Sequence, residues 1–329
     1  MTFFSLMGTL TPANAGKNQV VVYTALDQVF SEPVLKSFEK KSGIKVKAVY
    51  DIEATKTTGI VNRLIAERKN PQCDVFWNNE VIRTIFLKRK KVLAPYFSAL
   101  AKSIPERFKD EQGYWTGFSA RARILVVNTD SLKAPDWPES IFDLTRPQWK
   151  NRVAIANPLF GTTATHAAAL FQVLGSEKAK KYFLDLKKNN IAILDGNSVV
   201  KDNVGSGAFE AGFTDTDDVN MGILAKLPVK TIFPDQEGIG TLVIPNTVSI
   251  IANSPNPENG KHLIDYLLSE AVEQMLAFCP SVQMPLRPTV KTPLDFTGVN
   301  QIKAMDVDYE KITDVLDESV QFIQEIFIR

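Results

Sequence analysis

The chain has 329 residues, enough for two lobes of roughly 150 residues, each with its own core. Its 38 Lys and Arg against 37 Asp and Glu leave a net charge of +1, so no global basic field is present to hold phosphates, and nucleic acid is not an expected partner. Two histidines, His166 and His262, cannot supply a multi-histidine zinc site, and two cysteines, Cys73 and Cys279, cannot supply a disulfide framework. The two thiols either pair once or stay reduced.

Residues 3–10 form a short apolar core, followed by Pro12 and the small-residue pattern Ala13-Asn14-Ala15. This resembles the end of a secretory leader with cleavage after Ala15, which would place the mature chain in the periplasm, the alternative being an ordinary frayed terminus. Gly16, rather than a cysteine, follows that position and argues against a lipid anchor. Beyond these residues no apolar run approaches the ~20 needed to cross a bilayer.

From Val20 the chain reads as strand, turn, helix and strand in immediate succession. Val20-Val21-Val22-Tyr23 is an apolar strand that delivers Thr24-Ala25-Leu26-Asp27 at its carboxyl end. Phe30, Val34, Leu35 and Phe38 then keep the three-and-four spacing of one helical face, and Ser42-Gly43 ends the helix. Residues 44–50 alternate apolar and polar as a half-buried strand does, completing a βαβ unit, whose ligands gather at strand carboxyl ends. A helix is expected over 57–68, and the strand Cys73-Asp74-Val75-Phe76-Trp77 is followed by Asn78-Asn79-Glu80, a second polar group just past a strand end. A further helix is expected over 81–90. A crossing between lobes is expected at 121–123, where two strand-like runs meet without a complete helix between them.

The second half continues with a strand near 153–156, then Asn157 through Thr165 opening a helix that contains 167–173. Backbone donors and hydroxyls at Gly161, Thr162 and Thr163 can hold an anion there, although either threonine can equally be a helix cap. After a helical run over 199–209, Asp215, Asp217 and Asp218 gather three carboxylates within four residues. Such a cluster repels itself unless a cation, an amine or water offsets it, but it lacks the EF-hand pattern and can also be a solvated helix start. A strand over 241–251 is the candidate return crossing. Single helices are expected over 259–278 and 309–328. Trp77 offers a cleft wall or ordinary core, and Arg121 and Arg123, two apart on one strand face, offer anion ligands or plain surface charge.

The order Val22-Tyr23-Thr24, Phe38-Glu39-Lys40, Gly43-Ile44-Lys45-Val46, Asp74-Val75-Phe76-Trp77, Trp115 through Arg121 and Met284-Pro285-Leu286-Arg287 resembles the periplasmic ferric-iron-binding proteins of ABC importers, within extracellular solute-binding family 1. The resemblance spans nearly the whole mature chain. It implies an α/β, two-lobed periplasmic-binding-protein fold of type II character, with two crossing hinge strands and a ligand cleft between the lobes. Lobe one is expected over 16–121 plus 247–298, and lobe two over 122–246 plus 299–329, after a leader-like segment over 1–15.

The family commonly holds metal with adjacent tyrosines, a histidine, a glutamate and a small anion. Here Thr216 and Asp217 stand at the tyrosine positions, Asp27 at the histidine position, and Asn79 or Glu80 at the glutamate position. The anion position falls near Gly161 and Thr162, with Arg121 close by.

The resemblance therefore implies capture of Fe³⁺ or another hard cation by Asp27, Glu80, Asp215 and Asp217, completed by a small anion. The alternative cargo is a small organic solute, an aminoalkylphosphonate or a sugar phosphate, held by the helix start at Thr162 and Thr163 together with Arg121 or Arg123, with Asp215 or Asp217 on its ammonium or hydroxyl. No catalytic cofactor is expected. An exported carboxylate-dependent enzyme is disfavoured, because His166 and His262 lie in no triad context and there is no Gly-x-Ser-x-Gly turn or nucleotide loop. His166 is expected either to satisfy a local hydrogen bond or to face the cleft. The expected partner is an inner-membrane permease, the expected state a monomer, and the expected mechanism closure of the cleft around cargo.

Overall fold

A computed structural model describes residues 18–51, 57–293 and 297–327, so the leader-like segment lies outside the described residues. The expected βαβ start is present as β1 (Gln19–Thr24), α1 (Gln28–Ser42) and β2 (Lys45–Tyr50). α1 buries Phe30, Val34, Leu35 and Phe38, the apolar stripe, and stops where Gly43 takes a left-handed φ of 71° and donates its N–H to Glu39. α2 (Thr58–Ala66), β3 (Val75–Asn78), α3 (Ile82–Arg89) and β4 (Leu93–Ala94) follow.

The two runs expected to meet at 121–123 are one strand, β5 (Thr116–Asn128), buried along all 13 residues. Its first half looks too polar for a core strand because Ser119, Arg121 and Arg123 are inside, where the two arginines find protein partners rather than water and Ser119 donates its backbone N–H to Glu273.

The second half of the molecule comprises β6 (Val153–Ala156), α4 (Gly161–Leu174), α5 (Ser176–Lys188), β7 (Ala192–Leu194), α6 (Asn197–Gly205), β8 (Ala211–Asp215), α7 (Thr216–Leu224) and β9 (Val229–Ile232). The chain returns through β10 (Val243–Ile251) to α8 (Pro257–Leu267), α9 (Glu270–Ala277), α10 (Tyr309–Asp314) and α11 (Leu316–Phe327). The sequence reading assigns no element to α5, although its buried Ala179, Tyr182, Phe183 and Leu186 keep helical spacing.

The strands run in the order β2-β1-β3-β10-β5-β8-β6-β7, with β4 added on β10 and β9 on β5. β1, β2 and β3 are parallel, as are β6, β7 and β8, so each group needs crossover helices on its faces. β5 joins the groups. Its residues from Thr116 to Ala122 pair with β10, and those from Arg123 to Val127 pair with β8. Two antiparallel strands thus link two parallel half-sheets. The carboxyl ends of β1, β3, β6, β7 and β8 lead into one gap between them.

Two expected helices are interrupted. The helix expected over 259–278 divides at Ser269, whose Oγ accepts from Val272 N–H and caps a new start, α9. The helix expected over 309–328 breaks at Val315. Its first piece is fastened to α3, where Lys88 meets Asp110 and Glu310, and Arg89 meets Glu310 at 3.0 Å and Asp314 at 2.6 Å. Its second piece is tied to α5 by Lys180 and Glu318 at 2.7 Å. Cys73 and Cys279 are both free thiols, and burial pushes the Cys73 thiol up, so of the two open alternatives the reduced one applies.

Candidate functional site

The gap between the half-sheets is a cavity of about 40 Å³, room for about three or four water molecules. Each wall residue comes from just past a strand's carboxyl end, apart from Arg121 on β5 and residues at the ends themselves. Asp27 follows β1, Asn79 follows β3, and Asn157, Phe160, Gly161, Thr162 and Thr163 follow β6; Asp195, Gly196 and Asn197 follow β7, and Asp215, Asp217 and Asp218 belong to the end of β8 and the start of α7. Of the residues singled out by sequence, the structure brings Asp27, Asn79, Arg121, Gly161, Thr162, Thr163, Asp215 and Asp217 to this cavity.

Carboxylate oxygens of Asp215, Asp217 and Asp218 lie within 4.8 Å of one another. Asp215 is nevertheless already occupied. Its Oδ1 accepts from Arg123 Nη1 at 2.6 Å, and its Oδ2 accepts from Thr162 Oγ1 at 2.6 Å and Asn197 Nδ2 at 3.0 Å. Arg123 also donates to Thr162, Thr163 and Asn197 at 3.1–3.2 Å and lies over the Phe213 ring at 4.4 Å. Asp215 and Arg123 therefore form a buried, hydrogen-bonded pair that joins α4, α6, β5 and β8, with Asp215 in the cavity wall and Arg123 behind it. Asp215 is a weak candidate for a metal ligand, because three of its acceptor positions are taken.

Glu80 also departs from the expected ligand set. It does not line the cavity; its carboxylate accepts from Ile82 N–H at 2.7 Å, Arg83 N–H at 2.9 Å, Asn78 Nδ2 at 3.3 Å and Thr165 Oγ1 at 2.9 Å. The side chain has turned back on the start of α3, where exposed backbone donors attract a carboxylate. Burial pushes its carboxyl above the ordinary range despite those donors and the nearby Arg83.

Asn78 is spent on Glu80 and on Thr84 at 3.0 Å. Trp77 is core: it is fully buried between β1 and β10 and packs on Phe118 at 5.4 Å. Thr216 accepts the Ala122 N–H at 3.2 Å and lines a separate groove. Arg123 stands behind the cavity wall and is not a surface charge. Asp195, Asn197 and Asp218 are wall residues absent from the expected site. Asp218 belongs to a cluster visible in the sequence, whereas Asp195 and Asn197 follow a three-residue, half-buried strand with no periodic signal of its own.

Among the described residues His166 finds no hydrogen-bond partner, and it does not line the cavity. Its ring packs on Phe213 at 4.7 Å, and its buried Nε2 has no partner among the described residues. Burial holds its pKa well below 6.5, and the Arg123 charge adds to the shift. The native ring stays neutral while the unfolded chain takes up a proton below about pH 6.5, so this group removes about 1.4 kcal/mol of stability per pH unit on acidification below that point. His166→Phe is expected to lose about 1 kcal/mol less than the parent between about pH 7.5 and 5.5, measured by urea unfolding at both pH values. Equal acid sensitivity of the two proteins would contradict a neutral buried ring.

Two parallel half-sheets joined by two crossing strands, with a polar cavity at the converging strand ends, define a two-lobed binding protein. Residues 74–314 match the family described as bacterial extracellular solute-binding protein, and the chain belongs to that family. It is similar to the Fe(3+)-binding periplasmic protein of Serratia marcescens, 23% identical over 310 residues that cover 91% of this chain and 90% of the relative. Its fold matches iron-bound HitA from Pseudomonas aeruginosa with a TM-score of 0.85 at 19% identity, covering 94% of this chain and 99% of that one. It matches the periplasmic binding protein AfuA from Actinobacillus pleuropneumoniae, solved with fructose-6-phosphate, with a TM-score of 0.83 at 22% identity, covering 94% and 99%.

Proposed function

We propose that this chain is the cargo-capturing component of an ABC importer in the periplasm, and that its cargo is a compact hard cation, Fe³⁺ or one of similar character, accompanied by a small anion. The observation that carries this reading is charge. Among the described residues, five carboxylates, Asp27, Asp195, Asp215, Asp217 and Asp218, line the cavity against the one guanidinium of Arg121, and even with Arg123 counted behind the wall these groups leave an excess of three negative charges. Like charges about 5 Å apart repel by roughly 3 kcal/mol at an effective dielectric near 20, a cost that a cation relieves and an anion increases. The donors are all oxygens, the set that hard cations prefer. We assign to the cation Asp217 and Asp218 from one lobe and Asp27 from the other, which line the cavity from its two sides. The similarity to iron-binding proteins supports the same reading.

A second reading keeps a zwitterionic or phosphorylated solute, favoured by the start of α4 at Gly161, Thr162 and Thr163 facing the same cavity as Arg121. A sugar phosphate requires a wider gap than the present 40 Å³. Capture by closure fits the placement of Asp27 and Asn79 on one lobe opposite the other carboxylates, and a partner permease would then recognise the closed form. The reading is tested by native mass spectrometry and elemental analysis of gently purified protein before and after a chelator, with solution scattering of both samples. Stoichiometric metal that leaves with the chelator, and a smaller radius when loaded, are the expected results. A metal-free protein carrying an organic adduct would transfer support to the second reading, and an unchanged radius would remove closure.

A further inference from the structure

We infer that Arg121 is a tethered counter-cation, a guanidinium that occupies the focus of the cavity carboxylates and must leave Asp217 before a cargo cation settles there. The inference rests on the cation-cargo reading above and assigns one residue the task of setting the affinity threshold.

The argument begins with a contrast between two arginines two positions apart on β5, hence on the same strand face. Both are buried, at 4% and 0% exposure. Arg123 is locked by its 2.6 Å bond to Asp215, three further bonds at 3.1–3.2 Å and the Phe213 ring. Arg121 is not. Its Nη1 lies 3.5 Å from Asp217 Oδ2, its Nη2 lies 3.4 Å from Asn246 Oδ1, and its buried Nε has no hydrogen-bond partner among the described residues. A guanidinium carries five N–H donors in a rigid fork, and one held this loosely inside a protein is placed by the surrounding field more than by directed bonds.

The field has an identifiable source. Asp217, at 3.5 Å, and Asp215, Asp27 and Asp218 line the same cavity as Arg121 and surround its guanidinium with negative charge. Asp27 comes from the opposite side of the cavity from the other three, so the guanidinium sits where carboxylates of both lobes act together. That is also where a captured cation would be most stable, and two cations cannot share the position without strong repulsion.

The consequence concerns the affinity threshold. Displacing Arg121 costs the same for every incoming cation, so it lowers all cation affinities by a common factor. Weakly bound divalent ions then fail to occupy the site, while a cation of higher charge density, which starts from a tighter intrinsic affinity, still binds. An arginine whose task is instead to grip the cargo's anion makes the opposite prediction, since its removal weakens binding.

The test is calorimetric titration of Ca²⁺, and of Fe³⁺ supplied from nitrilotriacetate, into the parent, Arg121→Gln and Arg121→Lys. Arg121→Gln is expected to bind Ca²⁺ at least about tenfold more tightly than the parent. Arg121→Lys keeps the charge and is expected to stay within about threefold of the parent. A parent that binds cation while Arg121→Gln binds it equally or more weakly overturns the inference and leaves the cation-cargo reading standing. Failure of both metals to bind all three proteins overturns both. Because the glutamine variant leaves buried carboxylates less compensated, a second measurement uses the parent alone: La³⁺ titration followed by NMR of the arginine Nε–H groups. The Arg121 resonance is expected to move while that of Arg123 stays fixed, and an unmoved Arg121 resonance overturns the inference.

Discussion

Replacing Arg123 by methionine is expected to lower the unfolding free energy by about 3–5 kcal/mol, because it leaves the Asp215 carboxylate buried without its charge partner. Arg123 and Asp215 are both essentially inaccessible, at 0% and 1% side-chain exposure, so solvent cannot screen the orphaned charge. The loss is read from urea unfolding at neutral pH. The double variant Arg123→Met, Asp215→Leu is expected to recover part of it, since the carboxylate that suffers from burial is then also gone, although Thr162 and Asn197 lose an acceptor. A loss below about 1 kcal/mol in the single variant would mean that the network behind the cavity is hydrated, and the account of Asp215 as an occupied carboxylate would be withdrawn.

Replacing Asp217 by asparagine is expected to weaken cation binding by at least about 1,000-fold, since losing one unit charge about 4 Å from even a singly charged cation costs about 4 kcal/mol at an effective dielectric near 20. Asp217 is nearly buried on the first turn of α7 beside Asp218, and it lines the cavity directly. Asp195→Asn is the comparison. Asp195 also lines the cavity but is exposed, and screening is expected to hold its effect below about tenfold. Titration of Fe³⁺ from nitrilotriacetate into each variant decides the matter. Equal effects at the two positions would make the cavity a diffuse negative field and would remove Asp217 as a ligand.

Much of the architecture is legible in the sequence, for reasons that can be given residue by residue. The stripe of Phe30, Val34, Leu35 and Phe38 can be buried only by a helix, and Gly43 is able to end it because it lacks the Cβ that penalises a left-handed φ. Polar residues placed just after apolar strands, such as Asp27 and Asn79, are legible as wall residues because parallel strands deliver their carboxyl ends to a common edge.

The same rule misleads where a side chain has a local alternative. Glu80 also follows β3, yet the backbone donors at the start of α3 are only two and three residues away and capture its carboxylate. Trp77 lies at a strand end too, but its large apolar surface gains more from the core against Phe118 than from a wet cavity. Arg121 and Arg123 look alike in sequence, and only their surroundings separate a locked pair from a loosely held guanidinium.

By itself the sequence determined the alternation of strands and helices, the polar strand ends and the three-carboxylate cluster, because these depend on periodicity and on neighbours a few residues apart. Tertiary structure alone decided that β5 is one strand serving both lobes, that Asp215 is spent on Arg123 some 92 residues away in sequence, and that Asp195 and Asn197 join the wall. The physical reason is range. A helix face or a turn is set by local geometry, whereas the charge balance of a cavity is a sum over groups that the fold brings together from five separate strand ends.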